Sequence, residues 1–366
     1  MTARGLLLRG ASLLIGGALS ALLLAAIVAA YLGYCRHTGT DARMLTRYAV
    51  ARRMFADEGY LQLLRLVVAD PVDPFETVWD ATAAVKLSRA EFVPTEMYGQ
   101  LRYRYKPRLR YLDVEVWSGL DRQRLSALDD VRIRAAVARC RVFRLASVET
   151  DENGFKKTDF ALVPGQPVVL FVGDSFTEGL DVASADTFVN LFGHRMEDAG
   201  LTGAAVNAGV NGYGALEECW TVEHYAVALG ARVVVASLFP NDVDWDYQKV
   251  VRGGPVPEKN YQEMLEYLDR MWTHCRTHGI VLILAAIPAK EQMPPSVPES
   301  PFEQRVAAWC RARGVTFLDP REEFRAAGVD EVYFSSDAHL SEKGHARYAA
   351  FLFEGSLPIL RKALAR

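Results

Sequence analysis

No two of the five cysteines stand close together: Cys35, Cys140, Cys219, Cys275 and Cys310 are far apart and form no CxxC pair. Zinc-ribbon and dithiol redox readings are left almost without support, and no metal or cofactor is expected. There is no excess of positive charge either. Lys and Arg number 42 against 45 Asp and Glu, a net charge of −3. Nucleic-acid binders are usually basic overall, so none is expected as a partner. Internal repeats and low-complexity segments are also missing. What the chain does have is apolar material. Half of its 366 residues are hydrophobic, with 17 Phe, 15 Tyr and 6 Trp, which excludes global disorder and allows one large or two modest domains.

Residues 11–34 carry no charged side chain and follow Arg4 and Arg9. A bilayer-spanning helix needs about 20 apolar residues, whereas the apolar part of a signal peptide runs to about 7–15. The longer length fits here, so residues 1–35 are expected to form a single-pass membrane anchor with the rest of the chain outside the cytoplasm. A cleaved signal is the alternative and changes the location little. Arg36, Arg43, Arg47, Arg52 and Arg53 beyond the stretch oppose export under the positive-inside rule. Cys35 is preceded by the bulky Tyr34 where a lipidation signal wants a small residue, which argues against an acylated cysteine.

Residues 36–166 read as an irregular accessory region. It opens on an amphipathic helical pattern (Met44, Leu45, Tyr48, Ala49, Arg52), meets a breaker at Asp70-Pro71-Val72-Asp73-Pro74, and then alternates as strands do over 109–116. Arg102, Arg104, Lys106, Arg108 and Arg110 fall at every second position, so on one strand they would share a face. A solvated face is the plain reading, and a surface for anionic head groups or an acidic glycan the sharper one.

Residues 167–366 follow another grammar. Apolar runs of strand length (168–172, 205–206, 232–238, 280–287 and 315–318) alternate with helical patterns over 187–199, 216–229, 261–278, 302–313 and 341–364. This predicts an α/β domain of three layers, α/β/α, with a five-stranded parallel sheet of flavodoxin-like type. Functional loops belong at the carboxyl ends of its strands.

The polar residues of interest fall there. After the first strand comes Gly173-Asp174-Ser175-Phe176-Thr177-Glu178-Gly179, a strand-to-helix turn that exposes a hydroxyl beside free backbone N–H groups. Alone, Ser175 reads equally well as a helix cap. After the second comes Asn207-Ala208-Gly209-Val210-Asn211-Gly212-Tyr213-Gly214, and after the third Phe239-Pro240-Asn241-Asp242. Asp337 and His339 lie before the last helix, which Ser341 caps. Each has a bland explanation, but their conjunction at one sheet edge points to chemistry.

This set of blocks, in this order, resembles the SGNH or GDSL-like hydrolases over about 200 residues. Asn153-Gly154-Phe155 further resembles a short segment upstream of the serine in some membrane-linked or exported members. The resemblance implies Ser175 as nucleophile, His339 as base and Asp337 as the residue orienting it. It implies an oxyanion hole made of the Ser175 and Gly212 backbone N–H groups and the Asn241 side-chain amide, while Asp174 holds the turn. Phe239 stands where the family often has glycine, which reads as a change in pocket shape. The Asp-x-His spacing is one residue shorter than the commonest form, leaving open whether Asp337 or a backbone carbonyl supports His339. His345 is the reserve base.

Asp242, Asp244 and Asp246 alternate but lack the glycine turn and distant glutamate of a calcium loop. Tyr213, Phe176 and Trp245 line either a substrate cleft or a buried core. Residues 288–301 read as a loop at the functional edge. The expected function is serine-nucleophile hydrolysis of an ester or O-acyl group, on a small-molecule or glycan ester, with an envelope carbohydrate or lipid in view. An O-acyltransferase using the same triad is the alternative, and a non-catalytic envelope scaffold the third reading.

Overall fold

The computed structural model describes residues 84–88, 92–117, 141–334 and 338–365. The expected anchor, the helical pattern at 44–52, the breaker at 70–74 and Asp337 lie outside the described residues. Among those described, no helix is long and apolar enough to cross a membrane.

Two compact units divide the chain: Met1–Leu87 with Val114–Leu145, and Ser88–Asp113 with Ala146–Arg366. The first contributes to a three-stranded sheet of β1 (Ala84–Ser88), β4 (Arg110–Trp117) and β5 (Arg141–Glu149), in the order β1-β4-β5.

The second unit begins with an antiparallel hairpin of β2 (Phe92–Met97) and β3 (Gln100–Tyr105), in which Met97 pairs with Gln100 and Phe92 with Tyr105. Tyr98 and Gly99 make its two-residue turn with φ of 52° and 78°. Positive φ at both positions is what a tight hairpin turn needs to match strand twist. The basic row is therefore broken. Only Arg102 and Arg104 lie on β3; Lys106 and Arg108 sit in the connection that follows, where the Arg108 N–H is drawn to the Asp151 carbonyl at 2.8 Å. Nor are the two arginines a free cationic face. Arg102 pairs with Glu217 at 2.8 Å, and Arg104 donates to the Asn153 carbonyl at 3.0 Å.

The main sheet consists of β6 (Val168–Gly173), β7 (Ala204–Asn207), β8 (Ala231–Leu238), β9 (Val281–Ala286) and β10 (Thr316–Leu318). All neighbours are parallel, in the order β10-β9-β8-β6-β7. This is the five-stranded parallel sheet expected from the alternating pattern. Every residue of β6 is buried because helices cover both faces. Leu170 and Val172 pack with Cys219 and Val222 of α3 (Ala215–Tyr225), Met264 and Leu268 of α5 (Glu258–Thr277), and Phe302 of α6 (Pro301–Arg313). Val169 and Phe171 face the other way, toward Phe188 and Phe192 of α2 (Phe188–Asp198) and Tyr348 and Leu352 of α9 (Glu342–Leu364). Period-two alternation sends neighbouring side chains into two separate cores. Phe171 meets the rings of Phe188 and Phe192 edge-on, at 5.9 and 4.9 Å. Truncating such a side chain to alanine costs about 3–5 kcal/mol.

Helix boundaries follow local chemistry. The helix expected to run to residue 229 is regular to Tyr225, with Ala226 still αR and the Leu229 N–H donating to the Tyr225 carbonyl at 2.9 Å; Gly230 (φ 75°) then turns the chain and the Ala231 N–H reaches back to the Ala226 carbonyl at 2.8 Å. A short α1 (Ser175–Glu178) follows β6, α4 (Tyr247–Val251) precedes α5, and α7 (Arg321–Ala327) and α8 (Val329–Val332) precede α9.

His345, the reserve base, faces the core from α9. Its Nδ1 accepts the Phe188 N–H at 3.0 Å, and its ring stacks on Phe188. Burial, with Lys156 and His339 nearby, pushes its pKa down to about 3. An Nδ1 that accepts a hydrogen bond must be unprotonated, so the geometry and the direction of the shift agree. Unfolded, this histidine titrates near 6.5, so its contribution to stability is present above pH ~6.5 and is lost as pH falls toward 3. In thermal melts from pH 7 to pH 4, His345→Asn, whose amide oxygen can accept the same bond, is expected to lose less melting temperature than the wild type. Parallel curves would place the acid sensitivity elsewhere.

Candidate active site

In the order β10-β9-β8-β6-β7, chain order runs outward in opposite directions from the boundary between β6 and β8. Ligand crevices in open α/β sheets form at the carboxyl ends of such a pair. The Ser175 and Asn241 segments leave the sheet there. Asp174 is the N-cap of α1, its Oδ1 accepting the Phe176 N–H at 2.9 Å, and Ser175 is the first helical residue. The turn-holding role expected for Asp174 is what its geometry shows. Its other oxygen, Oδ2, accepts from the Asn241 amide at 2.9 Å. Asn241 thus points one amide hydrogen at Asp174 rather than only at a substrate oxygen. A carboxamide has two such hydrogens, and the second remains for a ligand.

Ser175 Oγ lies 2.8 Å from His339 Nε2. The histidine comes from the loop before α9, where Tyr333 and Leu340 form an antiparallel bridge and the Phe334 N–H donates to the His339 carbonyl at 3.0 Å. Its ring rests on Phe176 at 4.7 Å, Phe176 on Phe239 at 4.4 Å, and Phe239 on Tyr247 at 5.1 Å. The structure brings Ser175 and His339 together; Asp337 lies outside the described residues.

Gly212 belongs to the loop after β7, and several partners hold that loop. Glu178 Oε2 accepts the Asn211 N–H at 2.7 Å, Glu217 Oε2 accepts the Gly214 N–H at 3.0 Å, and Val210 N–H donates to the Gly173 carbonyl at 3.2 Å. Gly212 has φ 77°, and a Cβ there would sit 2.5 Å from the Tyr103 hydroxyl. Among the described residues, the N–H groups of Ser175 and Gly212 have no hydrogen-bond partner. Tyr213 and Phe176 are buried, while Trp245 is 71% exposed and approaches Gly212.

Three residues near this site have roles that the sequence pattern does not announce. Lys156 is buried and donates to the Gly179 and Val182 carbonyls at 2.8 and 2.9 Å, closing the end of the turn that carries Ser175. Its signal was its place after Asn153-Gly154-Phe155. Glu178 was visible only as the acid of the serine block. Glu218 is fully buried, and neither of its oxygens has a partner. It lies against Asp242, whose Oδ2 accepts the Phe239 N–H at 3.0 Å while its Oδ1 is unpartnered. The alternating aspartates are thus unlike one another: Asp242 turns inward, whereas Asp244 and Asp246 pair with Lys249.

Burial, and then the charges of Asp242 and Asp174, push Glu218 well above the usual carboxylate range. Burial and Asp174 do the same to Asp242. Asp174 is raised by burial and pulled back by its hydrogen bonds from Phe176 and Asn241. A carboxyl with a folded pKa above its unfolded value stabilises the fold fully below about pH 4.3 and loses that contribution as pH rises through the folded value. Glu218→Gln, neutral throughout, is therefore expected to gain melting temperature relative to the wild type as pH rises from 5 to 9. A constant difference across that range would show Glu218 to be ionised already.

Residues 171–347 match the family model described as GDSL-like Lipase/Acylhydrolase. The solved structures similar to this chain include one of TesA, with 20% identity, a TM-score of 0.43, and 54% of this chain and 99% of that one covered. A lipase/acylhydrolase from Enterococcus faecalis gives 20%, 0.41, 53% and 96%, and a family 3 carbohydrate esterase from Clostridium thermocellum gives 14%, 0.40, 54% and 98%. A comparison with curated proteins gives no match. Residues 171–347, the segment that holds Ser175, Gly212, Asn241 and His339, thus form a GDSL-like lipase/acylhydrolase domain, that of a hydrolytic esterase.

Proposed function

We propose that the protein cleaves an ester or O-acyl group through an acyl-enzyme on Ser175. The observation that carries this reading is the 2.8 Å approach of Ser175 Oγ to His339 Nε2 at the carboxyl end of β6. His339 takes the hydroxyl proton as Oγ attacks the acyl carbonyl carbon, whose oxygen becomes negative. The Ser175 and Gly212 N–H groups and the second Asn241 amide hydrogen receive that charge. When the tetrahedral adduct collapses, the bond to the alcohol oxygen breaks and His339 returns the proton to it. A water then gives its proton to His339 and attacks the acyl carbon; as the second adduct collapses, the bond to Ser175 Oγ breaks, His339 returns the proton to Oγ, and the acid leaves. Asp337 is proposed to orient the imidazole, following the logic of a serine–histidine–aspartate set.

The substrate is proposed to be an acylated carbohydrate or lipid of the cell envelope. The uncharged stretch at residues 11–34 supports this, since an anchor there would hold the esterase at a membrane surface. The exposed Trp245 beside Gly212 offers an apolar face to such a ligand.

With the full chain, a fluorophosphonate probe is expected to label the wild type and not Ser175→Ala, and a chromogenic acetate ester to be hydrolysed by the wild type alone. Equal labelling of the two would remove Ser175 as nucleophile. Asn241→Ala is expected to lower kcat by about 10²–10³, the usual effect of deleting one oxyanion donor. His339→Ala is expected to abolish acylation while the circular dichroism spectrum is retained; undiminished acylation would discard it as the base. Acyl transfer to an added oligosaccharide faster than hydrolysis would make the protein an O-acyltransferase instead.

A further inference from the structure

The hairpin of β2 and β3 reaches the loop that carries Gly212. The Tyr103 hydroxyl donates to the Asn211 carbonyl at 2.7 Å. That carbonyl and the Gly212 N–H belong to one peptide unit. Because the unit is planar and trans, its C=O and N–H point in opposite directions, and a bond that fixes one fixes the other. The Asn211 N–H, one peptide earlier, is held by Glu178 at 2.7 Å. The residue is thus gripped on its N–H by the core and on its carbonyl by the hairpin.

Tyr103 is itself held. The Tyr213 hydroxyl donates to the Tyr103 carbonyl at 2.7 Å, and the two rings lie 6.0 Å apart. The neighbouring Arg102 pairs with Glu217, which receives the Gly214 N–H. At the far end of the hairpin, the Tyr98 hydroxyl donates to Glu223 at 2.7 Å and Arg270 lies over the Tyr98 ring at 4.0 Å. Met97, Tyr105 and Val148 are buried with Tyr213, Leu216 and Trp220. Tyr103 itself is 36% exposed, so its burial contributes less than theirs and its hydroxyl bond is its distinctive contact. A hydrogen bond to a carbonyl also polarises the amide, making its N–H a stronger donor.

We infer that Tyr103 is a positioning residue of the oxyanion hole, contributed by the hairpin: its bond to the Asn211 carbonyl aims and polarises the Gly212 N–H. The inference rests on the esterase reading only for the consequence in catalysis. Developing charge in the transition state needs donors already in place, so loss of alignment acts on kcat more than on substrate binding.

Tyr103→Phe in the full chain removes one oxygen and keeps the ring. Its kcat on the chromogenic acetate ester is expected to fall about 5- to 50-fold, less than deletion of a whole donor, with KM changed less than about twofold and fluorophosphonate inactivation slowed to a similar extent. Hydrogen–deuterium exchange over residues 207–214 is expected to quicken, with the melting temperature nearly that of the wild type. An active wild type matched by Tyr103→Phe in kcat would overturn the inference and leave the esterase reading standing. A wild type inert toward both ester and fluorophosphonate would overturn the esterase reading. The exchange measurement needs no turnover: unchanged exchange over 207–214 overturns the clamp in either case.

Discussion

Asp174 and Asn241 join side chains across the boundary where the chain leaves β6 and β8 for opposite halves of the sheet. The rest of the site depends on that bond. One carboxylate caps α1, which starts at Ser175, and also holds the amide that would face the substrate, so nucleophile and donor are set by a single buried group. Parallel strands alone place loops at the same edge. They do not fix two loops to within a hydrogen bond, and a buried charge-assisted contact does. The cost is a desolvated Asp174 with Asp242 and Glu218 as acidic neighbours, so the site sits on a cluster that can carry little negative charge. Neutral Glu218 is the simplest way for that cluster to remain buried.

The layers and the serine block were legible because their signals are local. The run at 168–172 could only be a strand covered on both faces, and Gly173-Asp174-Ser175 falls where such a strand ends. His339 was legible through its neighbour in chain order, Ser341, which caps the last helix and so places a loop just before it. The route from Asp174 to Asn241 was not, since it joins residues 67 apart through side chains whose direction no periodicity records. As sequence, Asn241 points to the oxyanion alone for that reason. The arginine row failed on a different count. Period-two spacing predicts a shared face only while the strand lasts, and the turn at Lys106–Arg108 ends it.

Residues 92–105 show most plainly what local reading misses. As sequence they offered only the start of a basic row at Arg102 and Arg104. In the fold, Tyr98, Arg102, Tyr103 and Arg104 all reach partners on the loop after β7, on α3 or on the connection before β6. Specificity and rate in enzymes are commonly adjusted in segments outside the invariant core, because a stable scaffold tolerates change there. A hairpin that meets the oxyanion loop through the hydroxyl and the carbonyl of Tyr103 is such a segment: it alters no catalytic group, yet it bears on the direction in which one of them points.

Phe239 brings these threads together. Where the family often has glycine, a phenyl ring here lies tilted against Phe176 of α1, and Tyr247 is tilted against it in turn. His339 also lies against Phe176, at 4.7 Å between ring centres. A histidine that must turn between two proton partners benefits from a flat apolar support that fixes its plane without competing for its nitrogens. Glycine at 239 would leave Phe176 unsupported on that side, and the imidazole would then depend more on a polar partner for its orientation.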